Sequence, residues 1–235
     1  MKLPEAATPD EAAQMTRDYF IKGLDGLKLF TGAFMGDKPV VNMGTAIVKA
    51  AVDVAHEQGK PVFAHPQNRV GVDNAVDGGV DILAHTIPNT EFHYTTEELA
   101  HFKAQHTVLV PTLTLWTTIV SDPTITAQVV QAGVDELKAF SANGGTILFG
   151  TDVGFITVYD TSLEVEFMHR ALSVQEVLAS LTTNPAGYFK ADNKGRVEKG
   201  FDADLVVLEA DPAADIRNLA KVAYTIRGGQ IIYQR

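Results

Sequence analysis

The stretch Thr146-Ile147-Leu148-Phe149-Gly150-Thr151-Asp152-Val153-Gly154 decides how the rest of the chain is read. Its first four residues are apolar on both faces, the pattern of a strand buried on both sides of a parallel sheet. Gly150 and Thr151 break the run, and Asp152 stands where the strand ends. A carboxylate there either caps a following helix or lies on the face where α/β barrels and open sheets carry their chemistry. The choice between the two depends on what stands at the other strand ends.

Upstream, Pro61 to His65 and Val80 to His85 are two further apolar runs, each closing on a histidine. Gly26-Leu27-Lys28-Leu29-Phe30-Thr31 is a third, with Lys28 facing opposite to Leu27 and Leu29. Such a lysine serves either as an edge residue reaching water or as part of a site. Val108 to Leu115, dense in β-branched residues, reads as a fourth strand. Helices separate the strands. An incoming segment leads to one capped at Thr8, and Ile47, Ala50, Ala51 and Val54 form the buried stripe of the next. A short helix is expected around Val72 to Val76. Thr95 and Glu98 make a capping-box pair opening another helix, and Ala127 to Ser141 forms the last. His56, His101 and His106 fall on solvated faces, while His93 lies in a loop on the side of His85. Five strands alternating with helices predict a parallel sheet with right-handed crossovers.

After Asp152 the rhythm changes. Leu163 to Leu172 and Val174 to Leu181 read as helices, and Thr183-Asn184-Pro185-Ala186 as a turn. From Gly195 onward short strands and turns predict a small antiparallel unit. The expected division is therefore residues 1–194 and 195–235.

Composition narrows the function classes. The 235 residues carry 19 Lys and Arg against 29 Asp and Glu, a net charge of −10 that argues against nucleic acid and anionic membrane surfaces. There is no cysteine, hence neither a disulfide framework nor thiolate chemistry. No apolar stretch approaches the ~20 residues of a membrane helix, and the first twenty residues lack an apolar signal core. Cytoplasmic and periplasmic homes fit equally. No G-x-G-x-x-G or Walker loop follows a strand, which sets aside a nucleotide-binding doubly wound protein.

His65, His85 and Asp152 thus end three strands of one expected sheet, and Lys28 lies on a fourth. Two imidazoles and a carboxylate on one rim are donors suited to zinc or another divalent transition metal. An imidazole buried by chance at the end of an apolar strand would be costly without a partner.

With these residues in place, the sequence resembles the amidohydrolase superfamily of metal-dependent hydrolases, above all its imidazolonepropionase-like and Xaa-Pro-dipeptidase-like branches. The matching pieces are K-P-V-F-A-H-P (60–66), G-G-V-D-I-L-A-H (78–85), L-V-P-T-L (109–113), L-F-G-T-D (148–152), T-N-P-A (183–186) and K-G-F-D-A-D-L-V-V-L (199–208). They occur in the family's order and span nearly the whole chain. The resemblance implies a (β/α)8 TIM-like barrel, incomplete here with strands four to eight, plus part of a small β-sandwich at the C-terminus. The family's first strand ends in a His-x-His pair, and none occurs in these residues. The chain is accordingly expected to be the C-terminal portion of a longer enzyme, without the first three strands.

By the same resemblance His65, His85 and Asp152 are metal ligands from strands five, six and eight, and Lys28 takes the place of a carboxylated lysine bridging two metals. The implied cofactor is a divalent metal, Zn, as one or two ions. The implied reaction is hydrolysis of a C–N bond in an amide, cyclic amide or dipeptide through a metal-activated water. Asp152 serves there as general base and then general acid. Arg69 is a candidate partner for a substrate carboxylate, and His93 is a second, minor substrate-binding candidate. The expected partner is a small-molecule substrate, and a homo-oligomer is compatible with the sequence. The alternative is a catalytically incomplete fragment with no activity of its own.

Overall fold

The computed structural model describes residues 4–34 and 39–235; residues 1–3 of the expected incoming segment lie outside them. In chain order the elements are α1 (Pro9–Ile21), β1 (Leu27–Leu29), β2 (Gly32–Ala33), β3 (Val41–Asn42), α2 (Thr45–Glu57), β4 (Val62–Ala64), α3 (Arg69–Asp77), β5 (Ile82–Ala84), α4 (Thr96–Ala104), β6 (Val108–Val110), α5 (Leu113–Ile119), α6 (Pro123–Ala142), β7 (Thr146–Ile147), α7 (Ser162–His169), α8 (Val174–Leu181), α9 (Thr183–Tyr188), β8 (Leu205–Leu208), a 3-10 turn at Ile216–Ala220, β9 (Val222–Arg227) and β10 (Gln230–Gln234). The chain condenses into two compact units, Met1–Val110 with Ala142–Gly145, and Pro111–Ser141 with Thr146–Arg235.

In the first unit the expected alternation holds. Strands β1, β4, β5 and β6 pair in parallel and in sequence order, with Leu27 opposite Val62, Phe63 opposite Ile82, and Ile82 opposite Val108. Their side chains explain the arrangement: Val62, Ala64, Ile82, Leu83 and Leu109 are all fully buried, as strands covered on both faces require. Helix α1 packs on α2, and α2 on α3. The Thr8 hydroxyl caps α1 by accepting from the Glu11 N–H at 3.2 Å. The buried face of α2 is Val48, Ala51, Val52, Val54 and Ala55, so the stripe expected at Ile47 and Ala50 is rotated. Neighbours on two sides, α1 and α3, select a wider face than a single stripe. His56 is exposed, yet its Nε2 lies 2.9 Å from the Asp81 carboxylate, which also accepts the Val62 N–H at 2.7 Å.

The second unit departs further from the sequence expectations. Strand β6 ends at Val110, because Pro111 has no N–H to donate and Thr112 takes a left-handed conformation, φ 49°. Leu113 to Ile119 then form α5, where Val108 to Leu115 had been expected to stay extended. Thr183 to Tyr188 is a helix instead of a turn. The Asn184 amide anchors it by donating to the Ile147 carbonyl at 2.9 Å. After Gly195 the expected antiparallel sheet is present in the order β10–β9–β8. Its hairpin turns at Gly228-Gly229, both at positive φ (55° and 79°), the geometry of a two-residue primed turn. No helix among the described residues is long and apolar enough to cross a membrane.

Candidate metal centre

The first unit brings Lys28, His65 and His85 together at the ends of neighbouring strands. His65 follows β4 and extends its ladder: its N–H donates to the Leu29 carbonyl at 2.8 Å, and its own carbonyl accepts from the Gly32 N–H at 3.1 Å. The imidazole is flanked by Phe30, with centroids 5.1 Å apart, and by His85 at 4.7 Å in an edge-on arrangement of 66°. His65 Nε2 lies 2.9 Å from the Gln67 Oε1. His85 follows β5, is 5 % exposed, and its N–H donates to the Val110 carbonyl at 2.8 Å. Lys28 stands exposed between the buried Leu27 and Leu29, facing as the alternation predicted, and its ammonium lies 6.0 Å from the Phe30 ring.

Electrostatics keep both imidazoles neutral. Burial lowers the His65 pKa, with the nearby Lys28 charge adding to the effect and the Gln67 hydrogen bond opposing it. Burial, then Lys28, then His65 push His85 down to about 2. Neutral imidazoles are the form that ligates a cation. The donor set in this unit therefore fits a divalent metal. Among the described residues no group of three or more His, Cys, Asp or Glu side chains is gathered into a ready cage.

The turn that carries His65 is held by close backbone approach. A Cβ on Gly32 would meet the Pro66 carbonyl oxygen at 2.1 Å, and one on Gly71 would meet it at 1.9 Å. The Pro66 peptide therefore fits only because both neighbours lack side chains. Neither glycine was singled out in the sequence, since the approach is tertiary.

Asp152 belongs to the second unit. No helix opens at it, the next being α7 at Ser162, so it is not a helix cap. Its backbone is left-handed, φ 62°, and its carbonyl accepts from the N–H groups of Phe155 and Ile156 at 3.1 and 3.2 Å. Ile156, 3 % exposed, anchors this turn. Gln67, His85 and Thr112, within three residues of the ends of β4, β5 and β6, and Asp152, five residues past β7, which stops at Ile147 instead of running through the expected Phe149, share the positive φ that residues other than glycine seldom adopt. Such strain gathers where a fold must aim a side chain.

The two substrate candidates are knitted to each other. The Arg69 guanidinium pairs with Glu98, donates to the His93 carbonyl at 2.7 Å and lies 4.7 Å above the Phe92 ring. Glu98 also closes the expected capping box with Thr95. The His93 residue is exposed.

Sequence reasoning missed Glu164. This glutamate on α7 is completely buried and accepts the N–H groups of Leu113 and Thr114, at 2.9 and 2.7 Å, at the start of α5. Burial raises its pKa to about 7 against the pull of those donors. Its signal was a lone charge beside Val165 and four residues before Met168, on the buried face of the helix.

Residues 5–232 match the model of the amidohydrolase family. Over 118 residues the chain is 30 % identical to the imidazolonepropionase of Thermoplasma acidophilum, covering 47 % of this chain and 29 % of that protein. A candidate prolidase from Bifidobacterium longum superposes on all of this chain with a TM-score of 0.84 and 26 % identity. A Xaa-Pro dipeptidase crystallised with methionine in its active site does so with 0.81 and 25 %. The chain spans 62 % of each of these two structures.

Proposed function

Since the chain belongs to the amidohydrolase family, we propose that it serves a metal-dependent hydrolysis of a C–N bond in an amide, cyclic amide or dipeptide. The observation that carries this reading is the pair of neutral imidazoles, His85 buried and His65 half-buried, 4.7 Å apart at the exits of adjacent parallel strands. In the proposal His65 and His85 would hold a divalent cation, zinc, with a carboxylated Lys28 and Asp152 as its oxygen ligands. The metal would acidify water and polarise the scissile carbonyl. Asp152 takes a proton from the attacking water and returns it to the leaving nitrogen, the two-way role a carboxylate fills near neutral pH. Phe30 flanks the His65 ring, and the Lys28 charge acts on both imidazoles. Arg69, at the start of α3, and His93, in the loop after β5, are the residues proposed to meet a substrate carboxylate.

The division proposed with this function assigns residues 1–194 to the barrel-type part and 195–235 to the sandwich strands. The change from parallel alternation to the antiparallel sheet β8–β10 supports it. The test is zinc stoichiometry together with hydrolysis of a panel of Xaa-Pro dipeptides and cyclic amides. Bound zinc with turnover supports the proposal, and a protein that retains no divalent metal defeats it. Bound zinc without turnover on any member of the panel would favour a catalytically incomplete chain.

A further inference from the structure

Asn143-Gly144 is the single Asn-Gly pair in the sequence, and the fold sets two groups of α4 against it. Asn143, half-buried just past the end of α6, donates its side-chain amide to the Leu99 carbonyl at 2.6 Å. Lys103 follows Leu99 by four residues and so lies on the same face of α4, one turn along. Its ammonium stands 3.9 Å from the place that a Cβ on Gly144 would occupy. Gly144 is exposed and left-handed, φ 82°, a conformation that calls for a residue without a side chain. The same lack of a side chain leaves its amide nitrogen sterically open to the residue before it.

We propose that Asn143 is a self-modifying site, at which the chain turns the asparagine into aspartate or isoaspartate and exchanges the tether to Leu99 for an ion pair with Lys103. First the Gly144 amide nitrogen attacks the side-chain carbonyl carbon of Asn143. A C–N bond forms to close a cyclic imide, the bond to Nδ2 breaks, and the Gly144 N–H proton leaves with that nitrogen as ammonia. Water then opens the imide at either of its carbonyls. The attack gathers negative charge on the closing nitrogen and on the carbonyl oxygen, and an ammonium beside Gly144 stabilises it. The product has lost its donor. A carboxylate only accepts, so it repels the Leu99 carbonyl, whereas the Lys103 ammonium offers both protons and opposite charge. In the isoaspartate form one more backbone carbon enters the turn that leads into β7.

The experiment incubates the folded 235-residue protein in mildly alkaline buffer, made with water labelled in its oxygen, and maps the asparagines by mass spectrometry of proteolytic peptides. Asn143 should convert faster than every other asparagine, its new carboxyl carrying oxygen from the water. Lys103 is exposed, so Lys103→Gln should fold. It should slow the conversion severalfold in the folded protein and leave the rate in urea unchanged, since the contact exists only in the fold. Asn143→Gln, whose longer side chain closes the ring poorly, should stay unmodified. Hydrogen exchange reads the consequence: amides of residues 142–145 should exchange faster in the aged wild type and in Asn143→Asp than in fresh protein. An Asn143 that persists while other asparagines convert would overturn the proposal. Equal rates in wild type and Lys103→Gln would overturn it as well, leaving the reaction to sequence alone. Exchange unchanged by the modification would do the same, because the tether to Leu99 would then hold nothing in place.

Discussion

The rings of His65 and His85 stand 4.7 Å apart and inclined at 66°. Two imidazoles so placed stay neutral because burial and the Lys28 charge both oppose protonation. Replacing either by asparagine should weaken zinc binding by more than about a hundredfold, beyond the range seen for outer-shell partners. Lys28→Ala should lower zinc stoichiometry, and removal of carbon dioxide from the buffer should mimic it in the wild type. Chelator competition and metal analysis check both expectations; full zinc content in Lys28→Ala would end the bridging role.

Asp152 offers a cleaner separation of chemistry from folding. Asparagine tolerates left-handed backbone as aspartate does, so Asp152→Asn should keep the turn to Phe155 and Ile156. It should lower kcat by about 10²- to 10⁴-fold, the usual worth of a positioned proton acceptor. The measurement is turnover of a Xaa-Pro dipeptide beside a thermal melt. Wild-type kcat in the asparagine variant would remove Asp152 from the mechanism.

Gly71 should be among the least replaceable positions. An added Cβ would lie 1.9 Å from a backbone oxygen, which cannot swing aside as a side chain does. Gly71→Ala should cost at least the upper end of overpacking penalties, about 3 kcal/mol. Gly187, with nothing within 4 Å of its virtual Cβ and a place inside α9, is the control. Gly187→Ala should be neutral or stabilise by up to about 1 kcal/mol. Urea denaturation of the two variants compares them directly.

Glu164 sets a pH dependence with a definite sign. Its folded pKa, about 7, lies above its ordinary value of 4.5. The folded state therefore holds more protons than the unfolded one between those two values, and stability falls as pH rises through that window. The span corresponds to a loss on the order of 3 kcal/mol. Among the packed neighbours α5 carries no titratable side chain, Arg217 of the 3-10 turn acts on Glu166, and Glu176 of α8 bonds to Ser173. Glu164→Gln should flatten the slope, which denaturation at pH 5, 6, 7 and 8 would reveal. A slope identical to wild type would place the proton elsewhere.

The alternation of strands and helices was legible because buried parallel strands demand near-continuous apolar runs, and the runs before His65, His85 and Asp152 supply them. The capping box at Thr95 and Glu98 was legible because it is local. Less visible were features set by distant neighbours. The face of α2 is chosen by α1 and α3, and α9 by the tether from Asn184 to Ile147. The same holds around the site. Lys28, His65 and His85 announced themselves as polar residues in apolar strands, whereas Gly32 is confined by the Pro66 carbonyl, a contact that no spacing encodes.

The hydrogen bonds that tie His65 to Leu29 and Gly32 have a consequence for motion. Local opening releases contiguous stretches of chain as units. The stretch from Leu27 to Gly32 carries Lys28 and also clamps the His65 peptide from both sides. One local opening event therefore releases the lysine and the histidine together. A centre wired this way does not detune by degrees: it is assembled or it is gone. The exchange of a single amide hydrogen, that of His65, would keep time for the whole centre.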